Sequence, residues 1–580
     1  MGTKVNLYKQ SGTDDGTSVN FNLPRSLTYG LNARANDDGG VTESDNCEYN
    51  TLNGLSTLLK SSSLIITPNS YKEGKLYSVI PSDGSGDMSV TRATTATRVN
   101  SAGLVELVPY NLVKYSQDFS NAIWAKTISS ITYNQPDPFG GNNAALCTFT
   151  NVSTSRIDQN LSIIAGNTYT ISAWIKGVDI TDFRFIFGSS QAVFVTSQIV
   201  NGEWVRVSAT VTATTTGTYA QAIARTANTN GESFYIYGAQ LVEGTNALPY
   251  QKTETRLNIP RLDYSLGSCP SLLVEPQRTN QYTKSEDFNG WSSKTLVTTT
   301  ADYSISPSGI LNADRLQFTG SGFLHNAIAQ VSATQYTVSC YAKRNDSGTQ
   351  SVGFFVNGTG TVDSAWSLTN EWQRFTYTYT ASNNSQNGIA GLSGADVSVF
   401  GFQREAGAYP TSYIPTTSAS VTRNADAISK TGISSLIGQT EGTIYLEADI
   451  QKHNESEFYV AISNGSSLGE AIYLYQPSGG ILQVLFRTGG VNETISILNA
   501  NWNIGYNKIA IAYNSTSGEV FMNGVSQGTV ALSALPTCSQ LTLGARPDIP
   551  GNLVGSGGYK STAIFKTRLT NAQLASLTSL

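Results

Sequence analysis

Charged side chains are scarce in this sequence, 13% of 580 residues, and the formal balance of -5 is spread along the chain without a basic block. That argues against the cationic stripe by which proteins grip nucleic acid. Histidine is nearly absent: His325 and His453 are the only two. Little room is left for imidazole catalysis or His-ligated metal. The five cysteines, Cys47, Cys147, Cys269, Cys340 and Cys538, lie far apart and form no Cys-x-x-Cys pair. A zinc site is thereby disfavoured, and free buried thiols, with folding independent of disulfides, are expected. No run of about 18 apolar residues occurs, and the start is not a basic segment followed by an apolar one, so neither a membrane span nor a signal peptide is expected. Sustained heptads are missing too, so no coiled coil specifies an oligomer number.

What is abundant is Gly, Ser, Thr and Asn, a composition suited to short strands joined by turns. A chain of this length exceeds what one core organises, so three or four domains are expected. The chain also repeats itself. "NLVKYSQDF" from Asn111 matches "NQYTKSEDF" from Asn280, each with a Trp soon after, Trp124 and Trp291. "YTISAWIK" from Tyr169 matches "YTVSCYAK" from Tyr336, and "GEWVRVS" from Gly202 matches "NEWQRFT" from Asn370. Gly238-x-Gln240 matches Gly401-x-Gln403, with Tyr250 and Tyr413 each ten residues after the Gln. The offsets, 169, 167, 168 and 163 residues, are nearly constant. Four anchors in order define a tandem duplication, with cassettes at 109–255 and 277–416.

Each cassette spells strands. Tyr169, Ile171, Ala173 and Ile175 alternate with Thr170, Ser172, Trp174 and Lys176, the period of a half-buried strand. Short antiparallel strands with one wet face per sheet fit a jelly-roll β-sandwich. Trp174 and Tyr341 fall on the polar face at equivalent positions. Trp204 shares a face with Arg206, and Trp372 with Arg374. These four aromatics are the candidate carbohydrate-binding residues, because a flat ring on an open sheet stacks against a sugar. The competing reading covers Trp174 and Tyr341 with a loop or neighbouring subunit and stacks the arginines on the aromatics. No cofactor is expected. A structural Ca²⁺ held by Asp118 and Asp287, equivalent in the two cassettes, is weighed against turn capping by the same residues.

From about Glu441 the pattern changes. "EGTIYLEADI" alternates Ile444, Leu446, Ala448 and Ile450 against Tyr445, Glu447 and Asp449; Asn523-Gly524 signals a two-residue hairpin; and Leu569, Ala572, Leu574 and Leu577 suggest a short terminal helix. This stretch resembles the concanavalin A-like or laminin G-like lectin fold. That fold also hosts glycoside hydrolases with Glu-x-Asp-x-x-Glu. Here Glu447 and Asp449 match, but the third place is Lys452, and glycoside cleavage normally needs two flanking carboxylates. No nucleophile elbow surrounds either histidine, and no phosphate-binding loop follows a strand. The chain is therefore not expected to be an enzyme.

The spacers carry the sharpest resemblance. "LYSVIPSDGSGDMSVTRATTATRVNSAGLVELVPYNLVKYSQDF" (76–119), "IPRLDYSLGSCPSLLVEPQRTNQYTKSEDF" (259–288) and "QREAGAYPTSYIPTTSASVTR" (403–423) resemble structural fibre and spike proteins of tailed bacteriophages, especially of phages infecting gut Bacteroidota. The resemblance implies an all-β, multi-domain protein on the virion exterior: a tail fibre, collar spike or head fibre. It implies residues 1–75 as a virion-attachment region touching other virion proteins, 76–108 and 256–276 as linkers, two jelly rolls, and a lectin-type domain at 417–580. It also implies a homo-oligomer, a trimer first and a dimer second. Host surface glycan is the expected partner, with neither nucleic acid nor membrane involved. A capsule depolymerase and a purely structural spacer are the alternatives.

Overall fold

The computed structural model describes residues 41–42, 56–150, 155–188, 191–226, 231–450, 455–478, 480–497, 505–549, 551 and 554–580. The chain is all-β. The first cassette is a jelly roll of two five-stranded antiparallel sheets. One runs, in spatial order, Gln191–Phe194, Arg184–Phe187, Gly217–Arg225, Arg156–Ile163, Ala125–Thr127. The other runs Val205–Thr212, Thr168–Gly177, Ser233–Glu243, Ala144–Thr148, Ser130–Gln135. Ile157, Ile171, Phe183, Ile223, Phe234 and Leu241 fill the space between them. In the second cassette the two layers share strand Leu311–Ala327. Asp314–Gln317 of that strand pair with Asp396–Ala406, and Gly322–Ala327 pair with Gln386–Gly391. Leu316, Leu324, Val338, Phe354 and Phe402 form its core.

The duplicated words of the sequence are the joints of this sandwich. Asn111 donates through Nδ2 to the carbonyls of Ala239 (3.1 Å) and Gln251 (2.9 Å) and accepts at Oδ1 from the N–H of Val113 and Leu241. Asn280 repeats all four bonds with Phe402, Ile414, Tyr282 and Arg404. Ser116 meets the Tyr250 hydroxyl at 2.7 Å, and Ser285 meets the Tyr413 hydroxyl at 2.6 Å. Gln240 accepts from Gln251 N–H as Gln403 does from Ile414 N–H. Trp124 and Trp291 close the first loop by donating to the carbonyls of Tyr115 and Lys284. Gly238 and Gly401 sit at positive φ, +63° and +67°. The partner strands carry register shifts at Ser172/Trp174 and Ser339/Tyr341. A Cβ at Gly238 would lie 2.9 Å from the Trp174 ring, so the glycine serves both the bulge and the close approach.

The carboxy-terminal sandwich is built from more of the chain than its own span. One layer runs Leu64–Lys72, Gly557–Phe565, Glu441–Ile450, Gly505–Asn514, Ser517–Met522, Val525–Ala531. The other runs Met88–Thr91, Ala427–Thr431, Gln540–Leu543, Glu457–Ser463, Ala471–Gln476, Leu482–Thr488, Val491–Ile497. Strand Lys75–Ile80 pairs with Leu64–Lys72 and with Met88–Thr91, and the hairpin Leu262–Asp263/Ser271–Val274 adds to Gly557–Phe565. Leu64, Leu76, Val90, Leu262 and Leu272 share one core with Ile444, Val460, Ile511 and Leu541. The two cassettes are thus insertions in a host sandwich assembled from residues before, between and after them. Residues 56–75, expected in a separate attachment region, join the host; residues 1–40 and 43–55 lie outside the described residues. The spans expected as linkers, 76–108 and 256–276, carry host strands and the hairpin Ala96–Val99/Val105–Val108.

The host segments are locked together by five buried ions. Asp426 accepts from Arg92 at 2.6 Å, from Arg261, and from Glu275 N–H at 3.0 Å. Glu275 accepts from Arg261 and from Arg423, each at 2.7 Å. All five side chains are at most 5% exposed. Burial alone would raise both carboxyls, but the arginines more than offset it and hold them below the ordinary carboxylate range.

Other expectations divide. The Asn523-Gly524 turn joins Met522 to Val525 with both residues at positive φ. The terminal helix is Asn571–Thr578, closed by a Thr570/Gln573 capping box; Leu574 and Leu577 are buried, but Ala572 faces solvent. Cys147, Cys340 and Cys538 are free and buried. Cys269 is disulfide-bonded, which corrects the expectation of a free thiol there; Cys47 lies outside the described residues. The single wet face expected for the strand at Tyr169 is also corrected. Thr168–Gly177 is buried at eight of its ten positions, because a rim loop covers the side away from the core.

Candidate functional site

Trp174 stands on strand Thr168–Gly177, opposite Arg206 and Tyr237. The Arg206 guanidinium lies over its ring at 4.8 Å and is held there by donating to Leu248 carbonyl (2.7 Å) and Ser172 Oγ (3.2 Å). Tyr250, on the rim loop, meets the same ring edge-on at 5.3 Å, and Phe139 at 5.4 Å. Only 5% of Trp174 stays exposed. The flat ring is spent on packing, with no face left for a sugar. Tyr341 repeats the arrangement. Arg374 covers it at 5.4 Å while donating to Thr411 carbonyl (2.8 Å) and Ser339 Oγ (3.0 Å). Phe400 and Tyr413 pack beside it, together with Val99 and Val105 of the hairpin Ala96–Val99/Val105–Val108. Burial drives the Tyr250 and Tyr413 phenols well above their ordinary range, so both serve as neutral hydrogen-bonding groups.

Trp204 and Trp372 are less enclosed. Trp204 is half-buried, edge-on to Tyr235 at 6.2 Å. Trp372 is half-buried, donates from Nε1 to Ile305 carbonyl (3.0 Å), and carries Lys343 Nζ over its ring at 5.0 Å. Asp118 accepts from Ser120 N–H (3.0 Å), and Asp287 accepts from Gly290 N–H (2.6 Å) with Lys284 nearby at 3.7 Å. Both therefore cap turns. Among the described residues no group of three or more His, Cys, Asp or Glu is placed to hold a metal ion. Glu447 and Asp449 are buried on the face of Glu441–Ile450 that also carries Tyr445; there Tyr445 packs with Leu59, Tyr77 and Leu574. Lys452 and His453 lie outside the described residues. His325 is buried against Phe323 and Phe355, and burial pushes its imidazole below the usual range.

Superposing the two cassettes by register separates what they keep from what they change. The Asn, Ser, Gln, Gly and Tyr joints are kept. The outer face of the sheet containing Arg156–Ile163 is not. In the first cassette one row across that sheet reads Thr127, Arg156, Arg225, Arg184, Phe194. The matching row of the second cassette reads Thr295, Phe323, Ala390, Gly353, Ala365. Sequence reading missed the first row because its arginines sit in phrases that do not recur. "SRIDQ", "DFRFIF" and "AIARTA" each carry one Arg beside apolar residues, the sole signal available.

No family model matches this sequence, and no curated protein does. Among solved structures, the chain is similar to the CBM40 of a Ruminococcus gnavus IT-sialidase bound to alpha2,3 sialyllactose, with 17% identity and a TM-score of 0.23 over 25% of this chain and 84% of that one. It is similar to the NanB sialidase from Streptococcus pneumoniae, with 16% identity and a TM-score of 0.23 over 26% of each chain. A SAP-like pentraxin from Limulus polyphemus is 14% identical, with a TM-score of 0.19 over 24% of this chain and 69% of that one. These likenesses are of fold alone.

Proposed function

We propose that this chain is a non-catalytic, carbohydrate-binding structural protein of a tailed-phage virion: a tail fibre, collar spike or head fibre that attaches the particle to host surface glycan. The observation that carries this reading is the pairing of a shared scaffold with unlike outer faces. Two cassettes keep these joints yet differ across one sheet face, and both leave a third sandwich whose segments before, between and after them meet in one buried ionic junction. Such a body presents several unlike surfaces at set spacing, which suits weak sites that act together through effective concentration. The resemblance of the long spacer phrases to those of phage fibres supports the virion setting. Assembly is a homo-oligomer, a trimer before a dimer, and contacts to other virion proteins come from the part of residues 1–75 that precedes the host strand Leu64–Lys72.

The test uses the purified full chain on a glycan array, as a competitor of phage adsorption, and in a reducing-end assay with host capsule. Glycan hits, competition and no new reducing ends are expected. New reducing ends would make it a depolymerase. A blank array together with undisturbed adsorption would leave a spacer.

A further inference from the structure

Antiparallel partners that stand directly opposite project on the same side of a sheet, and like charges so placed repel. Arg225 stands opposite both Arg156 and Arg184, so three guanidinium groups form a row across adjacent strands of the first cassette. Two are balanced: Arg156 Nε lies 2.8 Å from Asp158, and Arg184 Nη2 lies 2.8 Å from Asp182. Among the described residues the Arg225 side chain has neither a hydrogen-bond nor an ion-pair partner. Arg184 Nε is buried without a partner. The row therefore holds one uncompensated cation and one orphaned donor. Phe194 ends the row, 62% exposed, with Arg184 over its ring at 4.4 Å. Beside the row runs a second one of Ala125, Asp158, Ala222, Ile186 and Ala192, whose short alanines leave the face low next to the arginines.

We propose that this face binds a carboxylate-bearing saccharide. The carboxylate takes the place of the missing counter-charge and accepts charge-assisted hydrogen bonds from Arg225, whose planar fork matches it in a bidentate pair. Phe194 offers its ring to the apolar face of a pyranose, and the alanine row receives the sugar body. The second cassette lacks the site, since Phe323, Ala390 and Gly353 occupy the three arginine positions. This rests on the glycan-binding reading and names its ligand class for one face.

The experiment measures binding of the full chain to polygalacturonate, to the same polymer after carboxyl reduction, and to dextran sulfate, with Arg225→Ala, Arg225→Lys and Phe194→Ala beside the wild type. Arg225 is half-exposed outside the core, and an unchanged melting curve checks that its variants fold. Wild type is expected to bind polygalacturonate in preference to its carboxyl-reduced form. Arg225→Ala should weaken that binding by roughly tenfold or more, with only partial rescue by Lys. Phe194→Ala should weaken it by several-fold. Polygalacturonate binding untouched by Arg225→Ala overturns the proposal, as does equal loss on the carboxyl-reduced polymer or stronger binding to dextran sulfate. If a glycan array still shows neutral-sugar hits, those outcomes sink this site alone; a blank array sinks the function with it.

Discussion

Asp426→Ala tests whether the ionic junction holds the host sandwich together. Wild type buries three arginines and two carboxylates, a net charge of +1 in one dry cluster. Removing Asp426 raises that to +2, strips a partner from Arg92 and Arg261, and leaves Glu275 N–H unpaired. Breaking a buried pair from one side costs about 3–5 kcal/mol, since the remaining charge stays desolvated. At about 2–4 °C per kcal/mol for a unit of this size, the host transition should fall by roughly 6–20 °C. Glu275, Arg261 and Arg423 also bond Ser412 of the second cassette, whereas among the described residues none of the five side chains bonds the first, so scanning calorimetry should show the host peak moving, the second-cassette peak following in part and the first-cassette peak staying. Protease cleavage near 92–94 and 256–261 should accelerate in parallel. Salt should not reproduce the effect, because buried pairs are poorly screened. A shift below about 2 °C, or one that 1 M NaCl mimics in wild type, would refute the reasoning.

Other outcomes are expected from the joints. Asn111→Ala, or its twin Asn280→Ala, removes four hydrogen bonds around a buried turn, and each should cost its own cassette about 3–4 kcal/mol in urea unfolding while sparing the other. Gly238→Ala forces left-handed backbone on a residue with a Cβ and drives that Cβ to 2.9 Å from Trp174, so a loss of about 2–4 kcal/mol is expected. Gly401→Ala, whose nearest contact is 3.2 Å, should lose less. Burial raises the Asp314 carboxyl to about 6, although the N–H groups of Phe288, Asn289 and Asp302 pull it back part of the way. Its folded pKa thus exceeds the unfolded one. The second cassette should be most stable below about pH 4 on this account and lose about 2–3 kcal/mol as pH rises to about 6. Asp314→Asn should flatten that slope in pH-dependent denaturation.

The duplication and its strands were legible because the anchors do structural work that demands one residue type. An Asn that both donates and accepts across a turn, a Gly at positive φ and a Gln that closes a rim loop cannot drift freely. Period-two alternation also assigned the core side of the strand at Tyr169. It did not reveal that loops cover the opposite side, because alternation reports which face a residue takes and nothing about what lies there. The same limit hid the host. Leu64–Lys72 reads as a strand, but its mate, Gly557–Phe565, is almost 500 residues away, and register is written in neither strand alone. Arg92, Arg261 and Arg423 stand alone among polar and apolar neighbours in sequence, and isolated arginines seldom go inside, so nothing in their local phrases marks them as buried. Only the fold brings Glu275 and Asp426 to them. The arginine row was invisible for a related reason: its three members come from three strands that share no phrase.

Weaving the host from both ends of the chain has a consequence for biosynthesis. Ile65 and Ile66 can pair at once with Ile80 and Ser78 along one edge, but their other edge finds its partner only when residues 562–564 have emerged from the ribosome. At about 5–20 residues per second, the early strands wait on the order of half a minute to two minutes with an open edge. Both cassettes close in that interval, each from its own contiguous stretch. The nascent protein therefore carries two finished bodies around an unfinished centre, and a chain that stops short of residue 557 releases that centre with nothing to seal it.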